Sequence, residues 1–141
     1  MGARKHITAE QNKEAKKKLY FAKLNDCPSS PRKMRLVAEL IRGKNVELAL
    51  NILQHTPNYA AEKLFKLLKS AIANWQQKNE GVRMEDSHLF VKEVMVDEGR
   101  MLKRVQPAPQ GRAHRVRKRS NHVTVIIDGR VKMEETKVVT K

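Results

Sequence analysis

A chain of 141 residues has room for one domain and one core, and at 40% hydrophobic residues it has the material to build it. Its 30 Lys and Arg against 15 Asp and Glu leave a net charge of +15, which points to a polyanionic partner, most commonly nucleic acid. One cysteine, Cys27, excludes an internal disulfide and a cysteine metal cage, and no apolar run reaches the ~18 residues that cross a bilayer, so no membrane partner is expected.

Residues 1–18 have almost no apolar content and end in Lys16-Lys17-Lys18, which predicts a flexible basic extension. They lack the apolar stretch of a signal peptide, so the expected location is the cytoplasm. Leu19 to Leu24 reads as a short strand. Ser30 and Pro31 suit the N-cap and first position of a helix that carries Met34, Val37, Ala38 and Ile41 on one face and stops at Gly43. Asn45 can cap a second helix with Val46, Ala49, Leu50 and Leu53 at helical spacing, ended by Pro57. Asn58 can cap a third, whose stripe of Ala61, Leu64, Phe65, Leu68, Ala71, Ile72 and Trp75 runs to a stop at Gly81.

The second half changes period. Leu89 to Val96 and His122 to Asp128 are rich in β-branched residues, and Val123, Val125 and Ile127 alternate with neighbours as a half-buried strand requires. Between them, residues 100–119 hold Pro107, Pro109 and Gly111 and almost nothing to form a core. An antiparallel pair with arms running past the body fits this pattern, and two extended arms of about ten residues would reach roughly 30 Å. The expected organisation is an extension over 1–18, one globular domain over 19–130 that includes the hairpin 97–122, and a tail over 131–141.

Charge is concentrated at two places. Residues 1–25 carry a net +5, and residues 100–119 carry eight bases and no acid. Six of the eight are arginines, Arg100, Arg104, Arg112, Arg115, Arg117 and Arg119, and the others are Lys103 and Lys118. A guanidinium fork clamps phosphate through two parallel bonds, so this bias points to fixed contacts in folded nucleic acid. The hairpin has no aromatic ring, which argues against the base-stacking mode of single-strand readers. Enzymatic motifs are missing: there is no phosphate-cradling glycine loop, no paired-histidine zinc helix and no ligand spacing among His6, His55, His88, His114 and His122. Asp97 and Glu98 are neighbours on a strand and face opposite ways. No cofactor is expected. Trp75 and the positions Met34, Met84, Met95 and Met101 read as packing residues.

Several stretches resemble the bacterial form of the twenty-second large-subunit ribosomal protein family. They are Ser30-Pro31-Arg32-Lys33-Met34-Arg35-Leu36-Val37-Ala38-Glu39-Leu40-Ile41-Arg42-Gly43-Lys44, then Ser70-Ala71-Ile72-Ala73-Asn74 and Val96-Asp97-Glu98-Gly99. The most specific is Gly111-Arg112, then nine intervening residues, then His122-Val123-Thr124-Val125-Ile126. The resemblance covers about residues 20–130. It departs at Ala108-Pro109, where the family pattern has a basic residue and then a small one. It implies an α+β fold, three helices packed on a three-stranded antiparallel sheet, with a long extended β-hairpin. It also implies a structural role in the large ribosomal subunit, with the hairpin along the nascent-peptide exit tunnel. The implied partners are large-subunit rRNA, neighbouring ribosomal proteins including one facing it at the tunnel constriction, and the nascent peptide. Carried over by position, Lys103, Arg104, Gly111, Arg112, Arg115, Lys118 and Arg119 on the hairpin would contact rRNA. Ser30, Lys33, Arg35, Arg42 and Lys44 in the helical part would add further contacts, with Ser30 equally readable as a cap.

Two other classes compete. Architectural DNA-binding proteins also use basic, proline-tipped β-arms, but as symmetric dimers, whereas three amphipathic helices suffice for a monomer and no homo-oligomer is expected here. An RNA-modifying enzyme would need a cofactor motif that the chain lacks.

Overall fold

The computed structural model describes residues 3–79 and 87–129. Its elements follow in the order α1 (Ala3–Lys18), β1 (Tyr20–Cys27), α2 (Pro31–Ile41), α3 (Val46–His55), α4 (Tyr59–Lys78), β2 (Leu89–Pro107), a short 3-10 turn (Pro109–Gly111) and β3 (Ala113–Gly129). The expected stop at Gly81, the packing candidate Met84 and the tail 131–141 lie outside the described residues.

The three expected helices form where their apolar stripes are written, and those stripes make the core. Met34, Val37 and Ile41 of α2, Ala49 of α3, and Leu64, Leu68 and Ala71 of α4 are wholly buried. Each of these faces is too apolar to leave in water, and together they cover one face of an antiparallel sheet with strand order β1-β3-β2. Strand β3, central in the sheet, presents Val123, Val125 and Ile127 inward. The opposite face carries Phe21, Lys23, Glu93 and Met95, all exposed, as a one-sided antiparallel sheet allows. Trp75 is buried, with its ring edge-on to Tyr20 at 6.4 Å.

The fold departs from the sequence reading at the N-terminus. Residues 3–18 form a fourth helix rather than a flexible tail, although every side chain from Arg4 to Lys18 is exposed. Its content of Ala, Glu, Gln and Lys favours helix without any tertiary face. Lys16, Lys17 and Lys18 complement the negative end of the helix dipole. Lys78 of α4 adds an external cap, donating to the carbonyls of Lys17 at 3.0 Å and Leu19 at 2.9 Å.

Strand β2 lies at a sheet edge, and the chain covers that edge. Gly43 N–H donates to the Val91 carbonyl, and Val91 N–H donates to the Lys44 carbonyl, each at 2.9 Å. Arg42 donates to the Val94 carbonyl at 3.2 Å, and Arg35 donates to the Val96 carbonyl at 3.1 Å. These bonds satisfy main-chain groups that would otherwise invite another strand. Gly43 holds a φ of +73°, a left-handed conformation that ends α2 and turns the chain onto this edge.

Candidate nucleic-acid interface

Beyond Glu98 the β2–β3 pair leaves the body as a ribbon. The register shifts between Glu98 and Met101, where β2 carries one extra residue opposite Asn121–Arg119. This bulge marks the root of the ribbon. Gly99 is required there because a Cβ would sit 2.7 Å from Ser120 Oγ and 3.2 Å from the Asn121 amide nitrogen. Ser120 Oγ in turn donates to the Arg100 carbonyl, and Asn121, fully buried, donates through Nδ2 to the Ser29 carbonyl at 2.7 Å. The root is thus tied to the loop that leads into α2.

From Met101↔Arg119 to Pro107↔Ala113 the ladder is continuous, so the segment expected to be extended is regular β structure nearly to its tip. The 3-10 turn closes it. Ala108 N–H donates to the Arg112 carbonyl at 2.9 Å, while Gln110 and Gly111 hold φ values of +61° and +69° in succession. Pro109 needs no N–H donor at its place, so the Ala108-Pro109 departure fits the turn. Gly111 supplies backbone conformation rather than space, since a Cβ there would meet nothing within 4 Å.

The register explains how eight bases share so narrow a structure. Met101 faces Arg119, Leu102 faces Lys118, Val116 faces Arg104, and Val105 faces Arg115. Each of these cations lies opposite an aliphatic side chain, which separates the charges and gives the long stems a surface to lie on. Only Lys103 and Arg117 put like charges directly across from each other. Residues opposite one another share a face, and faces alternate along a strand. One face therefore carries Lys103, Arg115, Arg117 and Arg119 and the other Arg104 and Lys118, with Arg100 at the root and Arg112 beside the tip. All eight bases are exposed, and none has an acidic partner among the described residues. The first face encloses a shallow hollow of about 460 Å³ between the arms.

At the root, a second hollow of about 650 Å³ brings Ser30 together with Arg100, Lys118 and Arg119. Ser30 occupies the N-cap position of α2, yet its side chain makes no capping bond. Lys33 lies in an adjoining hollow of about 540 Å³ that shares Ser29 and Ser30. The remaining helical candidates are placed elsewhere. Arg35 and Arg42 spend donors on β2 carbonyls, Arg42 also pairs with Glu39, and the Lys44 backbone is part of the same latch. Their arrangement is the feature that spacing could not show, because it depends on bonds across 52 and 61 residues.

No cluster of three or more His, Cys, Asp or Glu able to hold a metal occurs among the described residues. Cys27 is buried, and burial pushes its thiol up from the ordinary value, away from a reactive thiolate.

Comparison with known proteins shows the family. The model of the family described as ribosomal protein L22p/L17e matches residues 22–128. The chain belongs to that family. It is a ribosomal protein with a structural, non-enzymatic role. It is similar to the "Large ribosomal subunit protein uL22" of Christiangramia forsetii, 64% identical over 127 residues that cover 90% of this chain and 94% of the relative. The protein of the same name in Bacteroides fragilis is 56% identical over 135 residues, covering 96% and 98%. That of Porphyromonas gingivalis is 56% identical over 128 residues, covering 91% and 95%. The family model begins after α1, but a match spanning 96% of the chain necessarily runs into the segment that forms α1, so at least part of that segment aligns with the Bacteroides relative.

Proposed function

We propose that the chain is a structural component of the large ribosomal subunit in the bacterial cytoplasm, held there by the ribbon's contacts with large-subunit rRNA. The observation that carries this reading is the ribbon itself: eight exposed bases without acidic partners among the described residues, on a regular β structure that adds almost nothing to the core. A structure with so much uncompensated charge gains from a polyanion that surrounds it, and an RNA wall supplies one. Arg100, Lys103, Arg104, Arg112, Arg115, Arg117, Lys118 and Arg119 clamp phosphates, Gly111 shapes the tip, and Ser30 and Lys33 extend the surface onto α2. Arg35, Arg42 and Lys44 serve first to hold the β2 edge, and any RNA contact they make uses the donors left over. The family resemblance further supports a ribbon lying along the nascent-peptide exit tunnel, near a second ribosomal protein at its constriction and within reach of the nascent peptide. The test is sedimentation of the native protein from lysate through a high-salt cushion. It should travel with large subunits and be released by RNase and not by DNase. Sedimentation apart from large subunits, or release by DNase, would refute the reading.

A further inference from the structure

The hollow of about 540 Å³ between the start of α2 and the start of α4 has a composition unlike the ribbon's. Its walls are apolar and flat-sided: the Tyr59 ring, 54% exposed, and Leu36, 69% exposed. Its polar lining is Ser29, Ser30, Lys33 and Asn58, of which Ser30 and Asn58 hold the N-cap positions of α2 and α4. Both are residue types that normally bond back to their own helix. Here neither side chain does, and neither makes any other hydrogen bond among the described residues. Two uncommitted polar side chains and an exposed ring therefore line one concavity. Lys33 lies in its lining, and the Lys63 ammonium stands 4.9 Å from the Tyr59 ring centroid. Among the described residues no acid lines the hollow, and it adjoins the ribbon-root hollow, where Arg100, Arg117, Lys118 and Arg119 outnumber the one acid, Asp26.

A ligand that satisfies all of these groups is flat and partly apolar, carries donors and acceptors on its edge, and is attached to negative charge. An RNA nucleotide with its base turned out of the helix has that chemistry. Resting on the RNA-binding reading above, we infer that this hollow receives one unpaired RNA base. The base stacks on Tyr59 against Leu36, its edge bonds to the Asn58 amide and the Ser30 hydroxyl, and its flanking phosphates lie toward Lys33 and the ribbon root. An amide presents a donor and an acceptor side by side, which suits the edge of a base.

The first measurement needs no variant. Native large subunits are irradiated with ultraviolet light, and cross-linked peptides are identified by mass spectrometry. A nucleotide adduct within residues 58–63 that co-migrates with rRNA before nuclease digestion is the expected result. A cross-link from Tyr59 to another protein would overturn the inference. The second measurement is chemical probing of rRNA in subunits carrying Tyr59→Ala or Tyr59→Phe. Stacking of a base on an aromatic ring stabilises enough that its loss weakens the contact at least about fivefold. One unpaired base should become several times more reactive with alanine and stay protected with phenylalanine. Adducts confined to the ribbon together with an unchanged reactivity pattern in the alanine subunits would sink the inference while leaving the RNA-binding reading intact. Absence of any RNA adduct on the whole chain would sink both.

Discussion

Gly99→Ala tests whether the ribbon root is as tightly built as its geometry requires. The new methyl would lie 2.7 Å from Ser120 Oγ, so the hydroxyl must swing away and give up its bond to the Arg100 carbonyl. That loss costs about 0.5–1.5 kcal/mol. The Asn121 amide, 3.2 Å away, is main chain of the central strand and cannot rotate aside, so relieving this contact costs about 1–3 kcal/mol as overpacking does. Alanine's smaller unfolded-state entropy returns about 0.4–1 kcal/mol. The net expectation is a destabilisation of about 1–3 kcal/mol. Trp75, the only tryptophan and a buried one, reports unfolding directly by its fluorescence. The urea midpoint of the full chain should fall by roughly 0.5–2 M. The double variant Gly99→Ala/Ser120→Ala removes the closest contact and should fall short of the summed single effects by about 1 kcal/mol. A wild-type midpoint for Gly99→Ala, or strict additivity in the double variant, would refute the assignment of this glycine to close packing.

Three further outcomes follow from other parts of the molecule. Lys at both Arg112 and Arg115 keeps the charge but loses the planar forks, and binding to an rRNA fragment at fixed salt should weaken roughly tenfold; equal affinity would mean that charge alone acts there. Lys78→Ala removes the external cap of α1, and a helix of 16 residues with no packed face should then fray, measured as faster amide exchange over residues 12–18 with the core unchanged. Cys27 has its thiol pKa raised by burial, so stability should decline as pH rises from the ordinary thiol value toward the raised folded value. Urea midpoints at successive alkaline pH, compared with those of Cys27→Ala, check this: the wild type should lose ground relative to the variant, and parallel curves would count against it.

The helices were legible because a core stripe is a local property of the sequence. Met34, Val37 and Ile41 recur at helical spacing whatever they pack against, and the same holds from Leu64 to Trp75. Strand β3 was legible through its alternation, though its expected start at His122 fell short, since the ribbon's own strands carry no buried face to alternate. What the sequence hid was non-local. The pairing of arginines with aliphatic residues across the ribbon exists only once the register is set. The use of Arg35 and Arg42 as latches on β2 depends on carbonyls far along the chain, and on spacing alone both look like ordinary surface cations. The N-terminal segment departs from the flexible tail expected of its composition for a different reason. Low apolar content rules out a packed face but not a helix, and its Ala, Lys, Glu and Gln content favours one. Tyr59 carries no sequence signal because a lone tyrosine at a helix start has no pattern, and only the fold places it beside Ser30 and Leu36.

The ribbon's role as an RNA anchor separate from the folded body is tested most directly by replacing residues 100–119 with an Asn-Gly turn. The remaining chain keeps every wholly buried side chain of the helices, and Val123, Val125 and Ile127 of β3, so a cooperative Trp75 unfolding transition should survive. The decisive measurement is its occupancy in salt-washed large subunits, in competition with the wild-type chain. Near-complete exclusion of the folded variant is expected. Occupancy equal to that of the wild type would contradict the claim, and would place the binding energy in the body and α1 instead.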